Sequence, residues 1–311
     1  MPATAEVPGH RIGRGAGRMR LGKLDHAMSA RLGLGCLPLG GVYGPADPAR
    51  VLRLVRFALD SGVVWLDTAD VTPGGEVQRI VGQAIAGRRD EVVIAAHGPH
   101  GVAGMAEDCE RTLRRLGVEH LDLYHLHLGG SRIPVEEAVG AAASLVASGK
   151  VGALGIGGVD GERLLRAHAT HPLASVVVEY SLLERGAELD LLPAARGLGL
   201  LVAASRPLAR GLLTGRTAPQ TEHGPVAEML DALAGTAAEL NLGPARLALA
   251  WLLSRGDDIL PLPGTRDRVH LEMNLSARRI ELPPEAEKAL TALRSARLEA
   301  AVDLTVRRRD Q

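Results

Sequence analysis

The stretch that decides the fold is Val63–Glu76, which reads VVWLDTADVTPGGE. Four apolar residues lead to a carboxylate, Asp67, and a loop rich in glycine and proline follows. A short apolar run bounded by turn residues is typical of a buried strand. The stretch therefore predicts an early strand that delivers an acidic side chain to its carboxyl end.

Outward from this stretch, short apolar runs alternate with amphipathic segments along the chain. The predicted strands are Leu32–Cys36, Val63–Asp67, Val92–Ala96, Leu121–Leu126, Val151–Ile156, Ser175–Glu179, Leu200–Ala204 and Ile259–Leu262. The predicted helices are Ala49–Ser61, Gly104–Leu116, Glu136–Ser148, Gly161–Ala169 and Pro244–Ser254. Eight strands with helical connections favour an α/β fold, a parallel (β/α)₈ TIM barrel, over a doubly wound sheet. Residues 1–18 show no periodicity and are expected to be a flexible tail, which leaves residues 19–311 as one barrel domain.

Composition excludes several classes of partner. Lys+Arg and Asp+Glu balance at 36 each, so no net field attracts nucleic acid or a membrane surface. No apolar run approaches the ~18 residues of a membrane span, and the first residues lack the apolar core of a signal peptide. The two cysteines, Cys36 and Cys109, cannot form a disulfide framework and are interpreted as packing residues. We expect a cytoplasmic protein that acts on a small molecule.

Several further stretches recur in a recognisable order and spacing. They are Leu32–Gly35, Leu113–Val118, Asp122–His127, Gly149–Val151, Glu179–Leu182, Pro207–Gly215, Leu247–Trp251 and Pro261–Arg266. Together with Val63–Glu76 they make residues 20–295 resemble the aldo-keto reductases, whose members are barrels that transfer hydride from NADPH to a carbonyl. The resemblance implies that fold and, as an expectation, a catalytic pocket at the carboxyl ends of the strands.

The resemblance implies four catalytic positions, of which this chain keeps two. Asp67 matches the family Asp, and His127 matches the His that orients the substrate carbonyl. Thr72 stands where the proton-donating Tyr belongs, and His97 stands where its activating Lys belongs. An aliphatic hydroxyl is a poor general acid at neutral pH, whereas an imidazole is a good one. Asp67 is expected to accept a hydrogen bond from His97 and to fix its tautomer.

The cofactor side departs from the family in the same region. Gly157 and Gly158 replace polar residues that hold the nicotinamide amide, Val177 replaces a Gln, and Ser205 replaces the stacking aromatic residue. Four residues still match the phosphate and adenosine end, beside a helix N-terminus that is expected to be available for anions. These predicted cofactor residues are Gly264, Thr265, Arg266 and Asn274.

These departures lead to a first hypothesis, a barrel without hydride transfer. It would act as a dehydratase, cyclase or isomerase on a small oxygenated substrate, such as a secondary metabolite, and would require no cofactor. Asp67, His97, His127 and Thr72 are its predicted catalytic residues, and Tyr43 and Arg206 are its predicted substrate contacts. An arginine can bind a carboxylate or phosphate of the substrate, although a surface ion pair is the alternative for Arg206.

Three alternatives stay open from the sequence. The first is an NADPH-dependent reductase in which His97 or a water donates the proton, with weakened binding of the nicotinamide end of NADP(H). The second is a barrel without catalysis that senses a ligand or binds a partner. The third is a metal site, because two His and one carboxylate have the ligand count of a catalytic zinc site; His100 and His125 are further candidates, with His125 expected deeper in the barrel.

Overall fold

The computed structural model describes residues 21–42, 44, 46–68, 74–99, 101–215 and 225–293. The predicted tail, Tyr43, Thr72 and His100 lie outside the described residues. The statements below concern the described ranges.

Eight parallel strands form one sheet in sequential order, from β1 to β8. Their bounds are β1 Leu34–Gly35, β2 Trp65–Thr68, β3 Val93–His97, β4 Leu121–His127, β5 Val151–Gly157, β6 Leu173–Glu179, β7 Leu201–Ser205 and β8 Ile259–Pro261. Two backbone hydrogen bonds, from Gly33 N to Pro261 O (3.0 Å) and from Gly35 N to Pro263 O (3.2 Å), join the last strand to the first. The predicted α/β barrel is therefore confirmed.

The α-helices lie between and after these strands, with α1 ahead of the first. They are α1 Leu21–Ala30, α2 Pro48–Asp60, α3 Glu76–Ile85, α4 Met105–Leu116, α5 Val135–Ala147, α6 Gly161–Thr170, α7 Leu191–Gly197, α8 Pro225–Glu239, α9 Pro244–Ser254, α10 Arg268–Ser276 and α11 Pro284–Ala292. None of these helices combines the length and apolar character needed to cross a membrane.

Local chemistry explains where the helices begin and end. In α2 the side chain of Asp47 accepts the backbone N–H of Ala49, and Pro48 occupies the first turn, where its missing N–H costs nothing. In α4 acidic residues lie in the first turn and Arg114 and Arg115 in the last, which complements the helix dipole. That helix ends at Gly117, whose φ of 65° suits a residue without a side chain.

The barrel interior is narrow and mostly aliphatic. Its buried apolar side chains include Trp65, Val93, Ala95, Leu123, Ala153, Val177, Leu201, Ala203, Leu260 and Leu262. Helix α1 adds Leu24 and Ala27 to this cluster, and its Lys23 lies 3.4 Å from Asp122 at the start of β4. Because α1 covers the amino ends of the strands, the opposite, carboxyl ends form the open mouth. The larger core cluster lies between the strands and the surrounding helices.

Candidate active site

Three neighbouring strands bring one ionisable side chain each to the mouth of the barrel. Asp67 lies in β2, His97 ends β3 and His127 ends β4. His97 Nε2 is 2.7 Å from Asp67 Oδ1, and His97 Nδ1 is 2.5 Å from His127 Nε2. The two imidazole rings stack, with centroids 4.7 Å apart and planes inclined by 19°. The expected hydrogen bond between Asp67 and His97 is present, and His127 extends it into a chain of three groups.

The Asp67 carboxylate is 8% exposed, so its charge needs local compensation. Burial by itself raises the pKa of Asp67, but attraction to His97 and the hydrogen bond from that ring act in the opposite direction. Weaker attractions to His125 and His127 add to them, and the net pKa lies below the ordinary value of the carboxyl. Asp67 is therefore ionised at neutral pH.

His125 lies below this chain, fully buried inside the barrel as the sequence predicts. Its Nε2 is 2.8 Å from Ser175 Oγ in β6, and Nδ1 has no hydrogen-bond partner within the described ranges. Burial lowers the pKa of His125 to about 3, helped by the positive charge of His97 and His127. The imidazole is therefore neutral at physiological pH.

Sequence reasoning missed the contribution of Ser175. A β-carbon at Gly155 would overlap both Nε2 and Cδ2 of His125 and come within 2.5 Å of Ser175 Oγ. The signal in the sequence is the glycine in β5, paired in register with His125 on one side and Ser175 on the other. Only a residue without a side chain leaves room for this imidazole–hydroxyl pair.

The same cluster has donor atoms of the kind a divalent metal takes. One ligand atom each from Asp67, His97 and His125 lies within 4.8 Å of the others. Both ring nitrogens of His97, however, already have hydrogen-bond partners in Asp67 and His127. A metal bound through His97 would have to break one of those bonds, so the arrangement favours a proton-carrying chain over a metal centre.

Close packing explains why Gly157, the last residue of β5, and Gly158, which follows it, have no side chains. A β-carbon at Gly157 would be 2.6 Å from Val177 Cγ1. Gly158 has φ +70°, and a β-carbon there would overlap the backbone nitrogen of Gly129. The loops after β4 and β5 therefore approach each other too closely for the polar side chains expected from the resemblance.

Arg206, a predicted substrate contact, follows β7 with φ 48°, an uncommon conformation for a residue with a side chain. Its Nη1 is 2.7 Å from Glu179 Oε2 at the end of β6. Both side chains are partly exposed, at 45% and 27%. The ion pair alternative from the sequence is thus realised, and Glu179 is the partner that sequence reasoning did not identify.

Two arginines that sequence reasoning missed lie near the end of β7, Arg210 in the loop after this strand and Arg246 in α9. Ala209, Arg210 and Gly211 all have positive φ, between 47° and 97°. The first turn of α9 packs beside this loop, with Pro244 3.1 Å from the β-carbon position of Gly215. In that turn, Arg246 Nε is buried without a hydrogen-bond partner among the described residues. Buried guanidinium nitrogens next to such a loop suit an anionic group.

The loop after β8 holds the predicted cofactor residues Gly264, Thr265 and Arg266. A β-carbon at Gly264 would be 2.6 Å from Gly35 O, so this glycine lets the loop reach β1. Arg266 Nη1 donates to Gly44 O at 2.5 Å, and Thr265 Oγ1 accepts the N–H of Asp267 at 3.1 Å.

The expectation of a free helix N-terminus in this loop is wrong. The Asp267 carboxylate caps α10 and accepts the backbone N–H groups of Val269 and His270 at 2.8 and 3.2 Å. Because the cap already occupies these donors, an anion here must rely on side chains. Asn274, the remaining predicted residue, is 4% exposed on the same helix.

The eight parallel strands define a TIM barrel, and Asp67, His97 and His127 lie at the carboxyl ends of its strands, where barrel enzymes keep their active sites. The family model described as "Aldo/keto reductase family" matches residues 31–295, so the chain belongs to the aldo-keto reductase family. A probable aldo-keto reductase from Glycine max is 32% identical over 285 residues, which covers 81% of this chain and 82% of that protein.

Solved structures give the same assignment. An aldo/keto reductase from Klebsiella pneumoniae, in complex with NADP and acetate, is 31% identical with a TM-score of 0.73 and covers 86% of this chain and 94% of its own. An aldo-keto reductase from the same organism, in complex with NADPH, is 32% identical with a TM-score of 0.73. The match covers 86% of this chain and 93% of that chain. The glycerol dehydrogenase of Gluconobacter oxydans is 25% identical with a TM-score of 0.77, covering 86% and 92%.

These relatives correct the hypothesis that no cofactor is required. Two similar structures are complexes with NADP or NADPH, and the family transfers hydride with this cofactor. The missing nicotinamide contacts are therefore no argument for a cofactor-free enzyme. They concern only the nicotinamide end of NADP(H) and not its phosphate and adenosine end. Nothing in the comparisons supports a lyase, cyclase or dehydratase, and they favour the reductase alternative.

Proposed function

We propose that the protein is an NADP(H)-dependent carbonyl reductase in which the His97–His127 pair, held by Asp67, replaces the family's tyrosine as proton donor. The observation that carries the proposal is the continuous hydrogen-bonded chain from Asp67 through His97 to His127 at the mouth of the barrel. Membership of a reductase family supplies the redox half of the argument.

The proton path follows from the two nitrogens of His97. Nε2–H donates to the Asp67 carboxylate, so the proton for the substrate must come from the Nδ1 side. Nδ1 of His97 and Nε2 of His127 lie 2.5 Å apart, so one proton lies between the two rings. A carbonyl oxygen that enters the pocket would accept that proton from His97 Nδ1, and the bond between the two imidazoles would break. The imidazolium form of the pair then gives up its proton as negative charge develops on that oxygen.

Asp67 positions the donor and stabilises its charged form. A carboxylate 2.7 Å from a ring nitrogen fixes which nitrogen carries the proton and holds the ring orientation. Burial raises the pKa of Asp67, but attraction to His97 acts in the opposite direction and the net pKa is lowered, so this carboxylate is charged while it faces the imidazolium. It orients and stabilises the imidazolium and does not itself deliver the proton.

The residues present fit the cofactor best at its phosphate end. Arg246, with a buried and unpartnered Nε, and the loop containing Arg210 provide cationic groups after β7. Gly264, Thr265, Arg266 and Asn274 would serve the 2′-phosphate and adenosine portions after β8. When bound, NADPH supplies the hydride that reduces the carbonyl carbon. The nicotinamide amide would meet Gly157, Gly158 and Val177, which offer few side-chain donors, so grip on that end is weak.

The substrate is inferred to be a small oxygenated carbonyl compound. Arg206 remains a proposed contact for a substrate carboxylate or phosphate, which would have to compete with Glu179 for its guanidinium. Tyr43 and Thr72 also remain proposals for the pocket wall, and both lie outside the described residues.

Titration of the wild-type protein with NADPH, monitored by the fluorescence of the reduced nicotinamide, tests directly whether the cofactor binds. We expect saturable binding in the micromolar range, and weaker binding of NADH because the 2′-phosphate contacts are lost. Absence of saturable NADPH binding would refute the proposal. The variant His97→Gln tests the identity of the proton donor separately.

A further inference from the structure

The pair formed by His125 and Ser175 takes no direct part in the chain described above. Its His125 is fully buried, its hydrogen bond to Ser175 measures 2.8 Å, and one nitrogen has no partner among the described residues. A buried polar atom without a hydrogen-bond partner lowers the stability of the folded protein and calls for a functional explanation.

The orientation of the His125 ring follows from its neighbours. The Cδ2–Nε2 edge faces Gly155 of β5 and Ser175 of β6. The opposite edge, with Nδ1, therefore faces away from β5 and β6. The His125 and His97 ring centroids are 5.1 Å apart, and a ligand atom of His125 lies within 4.8 Å of one from Asp67. The His125 ring thus lies beside the ionised end of the catalytic chain, and we infer that its unpartnered nitrogen is on that side.

Electrostatics selects one of the two neutral tautomers. If Nε2 carried the proton, a bare lone pair on Nδ1 would face the Asp67 carboxylate in a medium of low dielectric constant. If Ser175 Oγ donates to Nε2, the ring proton is on Nδ1. The positive end of the Nδ1–H bond then faces the carboxylate.

We propose that Ser175 holds His125 in the Nδ1–H tautomer and that this buried N–H is a positioning group for the Asp67–His97 pair. The role rests on the proposed function, because the pair it supports is the proposed proton donor. His125 itself touches no substrate; it acts by keeping Asp67 ionised and in place beneath His97.

Few other titratable groups face Asp67 within the described ranges. Directly after β1 comes Cys36, whose thiol pKa is raised by burial and by Asp67, so it remains uncharged. From β3 comes His97, and from β4 come His125 and His127. Among these groups, His125 is the neutral imidazole on the inner side of this carboxylate.

Magnetic resonance measures the His125 tautomer and the titration of the Asp67 carboxyl group independently of turnover. Nitrogen-15 spectra of the wild-type holoenzyme should show His125 neutral with the proton on Nδ1 from pH 5 to 8. In Ser175→Ala, the tautomers should mix and the Asp67 carboxyl should titrate at a higher pH in its carbon-13 signal. The acid limb of the kcat/KM profile should move in the same direction, while the Kd for NADPH stays unchanged.

A matched control is Ser181→Ala, which removes a buried hydroxyl that accepts from Leu183 N and Glu184 N away from the cluster. It should move neither the tautomer nor the Asp67 titration. An Nε2–H tautomer in the wild type would overturn the proposal, and this reading needs no variant to fold. An unchanged Asp67 titration in Ser175→Ala would overturn it as well. A wild type with the expected tautomer but no reductase activity would refute the proposed function and leave the tautomer assignment standing.

Discussion

Nδ1 of His97 lies 2.5 Å from Nε2 of His127, while the other nitrogen of His97 lies 2.7 Å from Asp67. His97 thus uses both ring nitrogens, one for an anion and one for a second imidazole. In an ordinary aldo-keto reductase the corresponding lysine lowers the pKa of a tyrosine. In the proposed function, a histidine bonded in this way carries the transferable proton itself, and the acid step needs no tyrosine.

The first prediction concerns His97→Gln. The amide keeps hydrogen-bonding atoms near Asp67 but has no proton to transfer at neutral pH, so kcat should fall by roughly 10²–10⁴-fold. The Kd for NADPH should change by less than about threefold, because the proposed phosphate contacts are untouched. Single-turnover reduction and NADPH titration measure the two quantities. His171→Gln, a change outside the mouth, serves as the control, and a normal kcat in His97→Gln would exclude His97 as donor.

The second prediction concerns Arg266→Ala in the loop after β8. Removing a charged hydrogen-bond donor from a phosphate should raise the Kd for NADPH by roughly tenfold, with little change for NADH. Arg166→Ala removes an exposed arginine paired with Glu136 and should leave both affinities as they are. Equal weakening of NADPH and NADH would show that Arg266 does not read the 2′-phosphate.

The third prediction is a pH dependence of stability that arises from His125. Its pKa is lowered to about 3 by burial in the folded protein, whereas the unfolded chain takes up a proton near the ordinary pKa of about 6.5. Between these values the unfolded state binds more protons, so the free energy of unfolding falls as pH drops below 6.5. At pH 5 the contribution is roughly 2 kcal/mol, about one and a half pKa units at 1.36 kcal/mol each.

Denaturant unfolding of His125→Gln at pH 7 and pH 5 measures this contribution. The variant should lose less stability than the wild type between the two pH values, by that amount. His26→Gln, on the exposed side of α1, should behave as the wild type does. An identical loss in wild type and His125→Gln would mean that the buried imidazole is protonated in the native state.

The fourth prediction concerns Gly158→Asn, which introduces an amide at a position where the family has a polar residue. Asparagine tolerates a positive φ, but its β-carbon would overlap the backbone nitrogen of Gly129. The free energy of unfolding should fall by about 1–3 kcal/mol. Gly149→Asn is the matched control, since Gly149 has φ +75° with open space around its β-carbon position. Equal losses in both variants would contradict the close approach of the two loops.

The sequence could predict the barrel because its signals are local and repeated. Each of the eight strand runs overlaps a strand in the structure, and Pro244–Ser254 matches α9 at both ends. Helix α1 lies outside the predicted elements, because Leu24 and Ala27 are buried against distant strand residues and Lys23 meets Asp122 at the start of β4. That contact joins residues far apart in the chain, and no local pattern reveals it.

The site was predictable only where the family spacing carries over. Asp67, His97 and His127 were identified from strand ends, and they do meet. Ser175 was missed because its meaning depends on its distance from His125, and the cap at Asp267 was missed because a helix N-terminus looks free until its N–H groups are traced. The missing nicotinamide contacts were over-interpreted as loss of the cofactor. They also reflect packing of Gly157 and Gly158 against neighbouring strands and loops.

Hydride transfer from NADPH deuterated at C4 tests the central claim most directly. With a small carbonyl substrate, the account predicts one NADPH oxidised per alcohol formed, deuterium on the new carbinol carbon, and loss of both in His97→Gln. Conversion of a substrate without NADPH oxidation and without deuterium in the product would contradict it.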